Sequence, residues 1–294
     1  MASTPATTRP ATVKMNRMNP WCATRATTGQ GEKPGSGLRV AHTHELRFAG
    51  GVVTKRYTSW RRGEHRREWS VLRLVHRYAP DLVPRPVAAD LDAVPPVVTM
   101  TVVPGEPLDG APTPAQLDAL AAAITALWSV LHDALPAGRP GDDLEFARVL
   151  TAAARPAGGV AAAAYDAALS WWDGPDSALL RTAPERTVLG HRDPNLANYL
   201  WDGYRIRIVD FEDAAVSDPA TELAILTEHL SARRLDADEF CGRFDVDPVR
   251  LRAARRVWAM FWLWLLRPGG PSEGRNPAGT ADAQARRVLA LLDG

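Results

Sequence analysis

The stretch Thr187-Val-Leu-Gly-His191-Arg-Asp193-Pro-Asn195-Leu-Ala-Asn198-Tyr-Leu-Trp201, continued by Ile206-Arg-Ile-Val-Asp210-Phe-Glu-Asp213, decides the fold. Its apolar runs Thr187-Val-Leu, Tyr199-Leu-Trp201 and Ile206-Arg-Ile-Val209 are short and bounded by polar turns. That pattern predicts strand, loop, strand, turn, strand. The order His-x-Asp-x-x-x-x-Asn puts a carboxylate and a carboxamide at opposite ends of one loop. A second carboxylate, Asp210, arrives at the end of the next hairpin.

This donor set suits phosphoryl transfer from a nucleotide. Such a transfer needs a base to orient the attacking hydroxyl, and oxygen ligands to hold magnesium against the phosphates. Asp193 fits the first role; Asn198 and Asp210 fit the second, because Mg²⁺ prefers hard oxygen ligands. His191 is expected to fix the loop by packing and hydrogen bonding, without carrying a proton.

These residues resemble the catalytic and metal-binding loops of the protein-kinase-like superfamily, and within it the aminoglycoside phosphotransferase and choline kinase group. The continuation Asp210-Phe-Glu-Asp-Ala-Ala-Val-Ser-Asp218-Pro219-Ala-Thr-Glu222 resembles that group as well. The resemblance implies an α+β, bilobal protein-kinase-like fold, with a small antiparallel-sheet N-lobe and a larger, mainly helical C-lobe. It implies ATP and Mg²⁺ as cofactors and the hydroxyl of a small molecule as acceptor. It also implies that Asp218 supports the catalytic loop from beneath. Glu212 and Asp213 stay open between metal or substrate contact and solvated loop acids.

Composition agrees with a soluble enzyme. The 294 residues are 46% hydrophobic and 23% charged, enough for a large core, and the net charge of +1 predicts no nucleic-acid or membrane partner. Cys22 and Cys241 form neither a disulfide framework nor a metal spacing, so a reducing, cytoplasmic setting is expected. The longest apolar run, Val257 to Leu266, is too short to span a bilayer.

Residues 1–37 lack periodicity and are expected to form a disordered tail, or to reflect a start assigned ahead of Met15 or Met18, with a transit peptide as a further reading. From there, 38–103 reads as the nucleotide-binding lobe and 104–294 as the catalytic and substrate-binding lobe. Leu38 to Ala41, Glu45 to Phe48 and Val52 to Tyr57 read as strands, with Gly50-Gly51 as a hairpin turn. Lys55 stands out. The chain otherwise meets its need for positive charge with arginine, and its other lysines, Lys14 and Lys33, lie in the tail. A lone lysine in mid-strand suggests that a compact ammonium was needed.

The resemblance implies that Lys55 contacts nucleotide phosphates and pairs with a glutamate on the helix predicted over Gly63 to Tyr78. Glu68, just before Trp69-Ser-Val-Leu72, is in the family's position; Glu64 instead suits the helix's first turn. A glycine-rich phosphate loop is missing, so the covering segment is not located. Pro96 to Gly105 resembles the hinge between lobes, which implies adenine contacts around Thr101 and Val103.

Beyond the hinge, helices are predicted over Thr113 to about Leu135 (with Leu131 on the buried face), Asp142 to Ala154, Val160 to Trp172, Pro219 to Ser231, Asp236 to Arg243, Asp247 to Leu266 and Thr280 to Leu292. The acids Glu222, Glu228, Asp236, Asp238, Glu239, Asp245 and Asp247 suit either solvated helix faces or a cationic substrate. Trp258, Trp262 and Trp264 read as core, with an aromatic cage for a choline-like cation as the alternative. The leading reading is an ATP- and Mg²⁺-dependent small-molecule phosphotransferase, acting on an aminoglycoside-type antibiotic or a related amino alcohol or sugar. Alternatives are a choline/ethanolamine-type kinase and a non-catalytic nucleotide-binding relative. A protein kinase is disfavoured, since eight positions from Asp210 to Asp218 leave no room for a long activation segment.

Overall fold

The computed structural model describes residues 44–131, 148, 155, 156 and 158–293. The expected tail, the strand at 38–41 and the helix at 142–154 fall wholly or almost wholly outside them.

The chain first builds an antiparallel sheet in the order β1-β2-β4-β3, from β1 (Glu45–Ala49), β2 (Val52–Arg56), β3 (Pro86–Asp90) and β4 (Val97–Thr101). Gly50 and Gly51 both have positive φ (57° and 77°), as a two-residue primed hairpin turn requires. Period-2 alternation on β2 buries Val53 and Lys55 on one face. Helix α1 (Glu64–Tyr78) covers that face with Glu68, Val71, Leu72 and Val75.

The crossing to the second half passes through Gly105. At φ 129°, an added Cβ there would lie 3.0 Å from the main-chain carbons of Leu200 and Trp201. That contact lets β5 (Glu106–Pro107) pair with β7 (Tyr199–Trp201), which pairs with β8 (Ile206–Ile208). A separate pair joins β6 (Val188–Gly190) to β9 (Ala215–Ser217).

The helices are α2 (Pro114–Trp128), α3 (Gly159–Trp171), α4 (Pro175–Leu180), α5 (Pro219–Glu228), α6 (Ala237–Cys241), α7 (Pro248–Leu265) and α8 (Thr280–Asp293). Thr113 and Gln116 form a full capping box on α2, with Pro114 in its first turn. The helix stops at Trp128, capped by Ser129, so Leu131 leaves the apolar stripe and is 62% exposed instead of buried. The expected last turn of α5 is a separate 3-10 turn, Leu230–Ala232, because His229 adopts an extended backbone.

One continuous core runs from Leu72 and Met100 under the sheet, through Ile208 and Phe211, to Leu223 and Leu226 on α5. Each such side chain contributes roughly 1.5–3 kcal/mol by leaving water. The Ile208 N–H donates to Leu82 O at 2.8 Å, fixing the β7–β8 hairpin against the segment after α1. No helix among the described residues is long and apolar enough to cross a membrane.

Candidate active site

Lys55 sits mid-strand on β2, opposite Leu46 and Val98, and is only 3% exposed. Its Nζ lies 2.7 Å from Glu68 Oε2, 2.7 Å from Asp210 Oδ1 and 2.9 Å from Glu212 Oε2. Burial opposes the lysine charge, but the carboxylates of Asp210, Glu212 and Glu68 outweigh it and hold the pKa well above the ordinary value. Burial likewise raises Asp210, against the pull of Lys55. One ammonium among three carboxylates leaves a buried cluster of net charge −2.

Glu68 is fixed from the other side by the Tyr57 hydroxyl, which donates to Oε2. Glu64, the other glutamate of α1's N-terminal half, accepts from the Arg62 N–H (2.9 Å) and the Arg62 guanidinium (3.0 Å) at the helix entry. Glu212 accepts from His44 Nε2 at 2.7 Å, and the Arg67 guanidinium holds the Glu212 carbonyl at 3.1 Å.

The loop after β6 is tied to the segment after β8. His191 donates from Nε2 to Val209 O (2.9 Å) and accepts the Asp193 N–H on Nδ1 (3.3 Å), so it braces the loop as expected. Asn198 donates from Nδ2 to Asp193 O (2.8 Å), and its own carbonyl accepts the Val209 N–H (3.0 Å). Its Oδ1 is buried with no hydrogen-bond partner among the described residues. Such an orphan oxygen is costly unless a ligand fills the need. Arg192 and Asp210 both adopt left-handed backbone (φ 65° and 70°), a conformation that costs a side-chain-bearing residue roughly 1 kcal/mol or more and clusters at functional sites. The unpaired Asn198 oxygen, the Asp210 carboxylate and the cluster's net negative charge fit a hard divalent cation.

Support from beneath comes from Glu222, where Asp218 was expected. Asp218 caps its own helix, α5, accepting from the Ala220 and Thr221 N–H groups and from the Thr221 hydroxyl, and it pairs with Arg250 at 3.3 Å. Glu222, one turn on, accepts the Arg192 N–H at 3.3 Å. Burial raises its pKa, against the pull of Arg192.

At the hinge, Thr101 spends its N–H on Arg85 O (2.9 Å), and its hydroxyl accepts the Arg85 N–H (2.9 Å). Val102 donates to Gly51 O (2.9 Å). Thr101 therefore has no N–H to offer an adenine edge. The main-chain groups of Val103 form no hydrogen bond among the described residues.

Most of the suspected acidic wall has other work. Glu228 is fully buried between Arg255 and Arg287. Asp236 and Asp247 cap α6 and α7, Asp238 pairs with Arg255, and Glu239 with Arg243. Trp264 is buried, whereas Trp258 and Trp262 are half-buried against the same apolar cluster. Trp262 also packs edge-on against His229, with ring centroids 4.9 Å apart. His229 Nδ1 accepts the Ser231 N–H (3.1 Å), and Ser231 Oγ accepts the Leu196 N–H (3.0 Å) of the segment after β6.

His44, Tyr57 and His229 escaped the sequence reading. They lie outside any short motif and meet their partners only through tertiary packing. The Asp218-Pro219 pair, by contrast, did carry a readable signal: it is a helix cap.

The model of the phosphotransferase enzyme family matches residues 48–258. No curated protein matches the chain in sequence. A choline/ethanolamine kinase family protein from Mesorhizobium loti has a similar structure (TM-score 0.62, 20% identity, 92% of this chain and 90% of that one). So does a choline kinase from Streptococcus pneumoniae (0.59, 12%, 88% and 92%). A thermostable mutant of aminoglycoside phosphotransferase APH(4)-Ia, in a ternary complex with ADP and hygromycin B, is a third (0.57, 16%, 85% and 93%). These likenesses share the bilobal, protein-kinase-like α+β fold, and the family match covers most of the chain. The chain belongs to the phosphotransferase enzyme family.

Proposed function

We propose that the protein is an ATP- and Mg²⁺-dependent phosphotransferase that phosphorylates a hydroxyl of a small molecule, an aminoglycoside-type antibiotic or a related amino alcohol or sugar. The observation that carries this reading is the meeting of Lys55 from the sheet, Glu68 from α1 and Asp210 from beyond β8 within 2.7 Å contacts. Elements distant in sequence converge there on one cation, beside a loop presenting Asp193. The ADP held by the APH(4)-Ia complex supports a nucleotide as donor. On this reading 38–103 is the nucleotide-binding lobe and 104–294 the catalytic and substrate-binding lobe, and an ATP requirement suits a cytoplasmic setting.

Lys55, oriented by Glu68, binds the α- and β-phosphates. Asn198 and Asp210 hold magnesium, which offsets the charge that develops on the phosphates. Val103 receives the adenine edge. Asp193 accepts the proton of the acceptor hydroxyl and aims the oxygen in line at the γ-phosphorus, a placement that removes much of the entropic barrier. His191 and Glu222 keep that carboxylate in place by holding the Asp193 and Arg192 amides.

A choline- or ethanolamine-type acceptor is the second reading, favoured by half-buried Trp262 beside the catalytic loop. With Lys55, Asp193, Asn198 and Asp210 all in place, a non-catalytic relative is disfavoured.

The test is nucleotide consumption with Mg²⁺ across aminoglycosides, other hydroxylated antibiotics, choline, ethanolamine and simple sugars, with Asp193→Asn alongside. Turnover on one class, lost by about 10²–10⁴-fold in the variant while nucleotide binding persists, is the expected result. Near-normal turnover by Asp193→Asn would remove the base assignment, and a chain that binds no nucleotide would sink the whole reading.

A further inference from the structure

Two donors meet on one oxygen inside the lysine cluster. Glu212 Oε2 lies 2.7 Å from His44 Nε2 and 2.9 Å from Lys55 Nζ. The Thr58 N–H donates to His44 Nδ1 at 3.2 Å, which leaves the ring proton on Nε2 and makes it a donor of fixed direction. The ring is 4% exposed and packs against Tyr57, with centroids 4.6 Å apart. His44 is thus a rigid, neutral N–H donor at the entry of β1, aimed at the same point as the lysine.

Lys55 donates to Glu68 and Asp210, and its Nζ lies 2.9 Å from Glu212 Oε2. To reach a phosphate, Lys55 must release one of them. Glu68 is also gripped by Tyr57, so releasing it would strand a buried hydroxyl. Asp210 is the carboxylate assigned to magnesium above, and an anionic oxygen arriving at the Glu212 Oε2 position would give His44 Nε2 and Lys55 Nζ a new partner.

On the phosphotransferase reading above, we propose that His44 is a nucleotide-binding residue: its Nε2–H, together with Lys55, holds a β-phosphate oxygen at the position that Glu212 Oε2 marks. The segment entering β1 then supplies a phosphate donor through a side chain, in a chain without a glycine-rich loop motif. Donors converging on an anionic oxygen are among the stronger hydrogen bonds proteins make.

Affinities of Mg·ADP, AMP and adenosine, measured by calorimetry on the full chain, test this directly. Gln reaches as far as His Nε2 and carries a donor there, whereas Asn is too short. His44→Ala and His44→Asn are expected to weaken ADP about tenfold while leaving AMP and adenosine within about twofold, and His44→Gln to keep most of the ADP affinity. Unchanged ADP affinity in the Ala and Asn variants would overturn the proposal, as would an equal loss for all three ligands, which marks a purely structural role. Should the variants not fold, the imidazole ¹⁵N signal of His44 in the unaltered protein must move with ADP and not with AMP; a signal indifferent to both overturns it too. A protein that binds none of the three ligands would bring down the phosphotransferase reading itself.

Discussion

The carboxylate of Glu222 occupies the space that a side chain on Gly190 would need: a Cβ added there would come within 2.3 Å of Oε1 and 2.7 Å of the Ser217 Cβ. Gly190 is the last residue of β6, immediately before the loop that carries His191 and Asp193. Backbone, loop and buried acid are therefore fitted to one another. Gly190→Ala should cost about 1–3 kcal/mol by overpacking and displace the loop. Urea unfolding would read the first effect and turnover the second. Wild-type values for both would show that Glu222 can move aside freely.

The two acids of α5 should separate by assay. Asp218→Ala removes a helix cap and leaves Arg250, only 8% exposed, without its carboxylate. A stability loss of about 1–2 kcal/mol is expected, with little change in turnover per folded molecule. Glu222→Ala frees the Arg192 N–H and should lower turnover more than stability. Equal kinetic effects from both variants would contradict this division.

Lys55→Met would leave Glu68, Asp210 and Glu212 buried without the lysine charge between them. Breaking a buried ion pair from one side costs roughly 3–5 kcal/mol, so a markedly lower melting temperature is expected. Added Mg²⁺ should raise the variant's melting temperature more than the wild type's, because the three oxygens can then share a divalent cation. An equal Mg²⁺ response in both proteins would argue against a cation site there.

His229 supplies a pH dependence. Burial pushes its pKa down to about 4, with Asp193 opposing and Arg233 adding to the depression. Between about 4 and the ordinary value of 6.5 the unfolded chain therefore binds more protons than the folded one, so stability falls as pH drops through that window. Acidifying from pH 7 to 5 should cost about 1–2 kcal/mol from this residue, allowing for its partial exposure. Denaturation of His229→Gln across the same range should lose that slope. A parallel profile would mean that His229 is protonated at no cost.

Much of this was legible in the sequence where chemistry and spacing coincide. The short strands around Asp193, Asn198 and Asp210 were readable, and they bring Asn198 against the Asp193 carbonyl and the Val209 amide. Lys55 was legible because the chain uses arginine nearly everywhere else. The limits were physical. Asp218 and Glu222 are one helical turn apart, and only the cap geometry decides which of them faces the loop. Thr101 lies where hinge contacts were expected, but a neighbouring strand end takes its N–H. His44 meets Glu212 across 168 positions, a pairing that no local period encodes.

Lys55 is also the only lysine among the described residues, and it is buried. The described residues thus carry many guanidinium groups but no exposed lysine amine. An amine-directed acylating reagent becomes a footprint of the cleft: Lys55 stays unmodified while its three carboxylates enclose it, and reacts when that enclosure opens. Covalent labelling of Lys55, resolved by peptide mapping from Lys14, Lys33 and the amino terminus, would therefore report the opening of this carboxylate cluster.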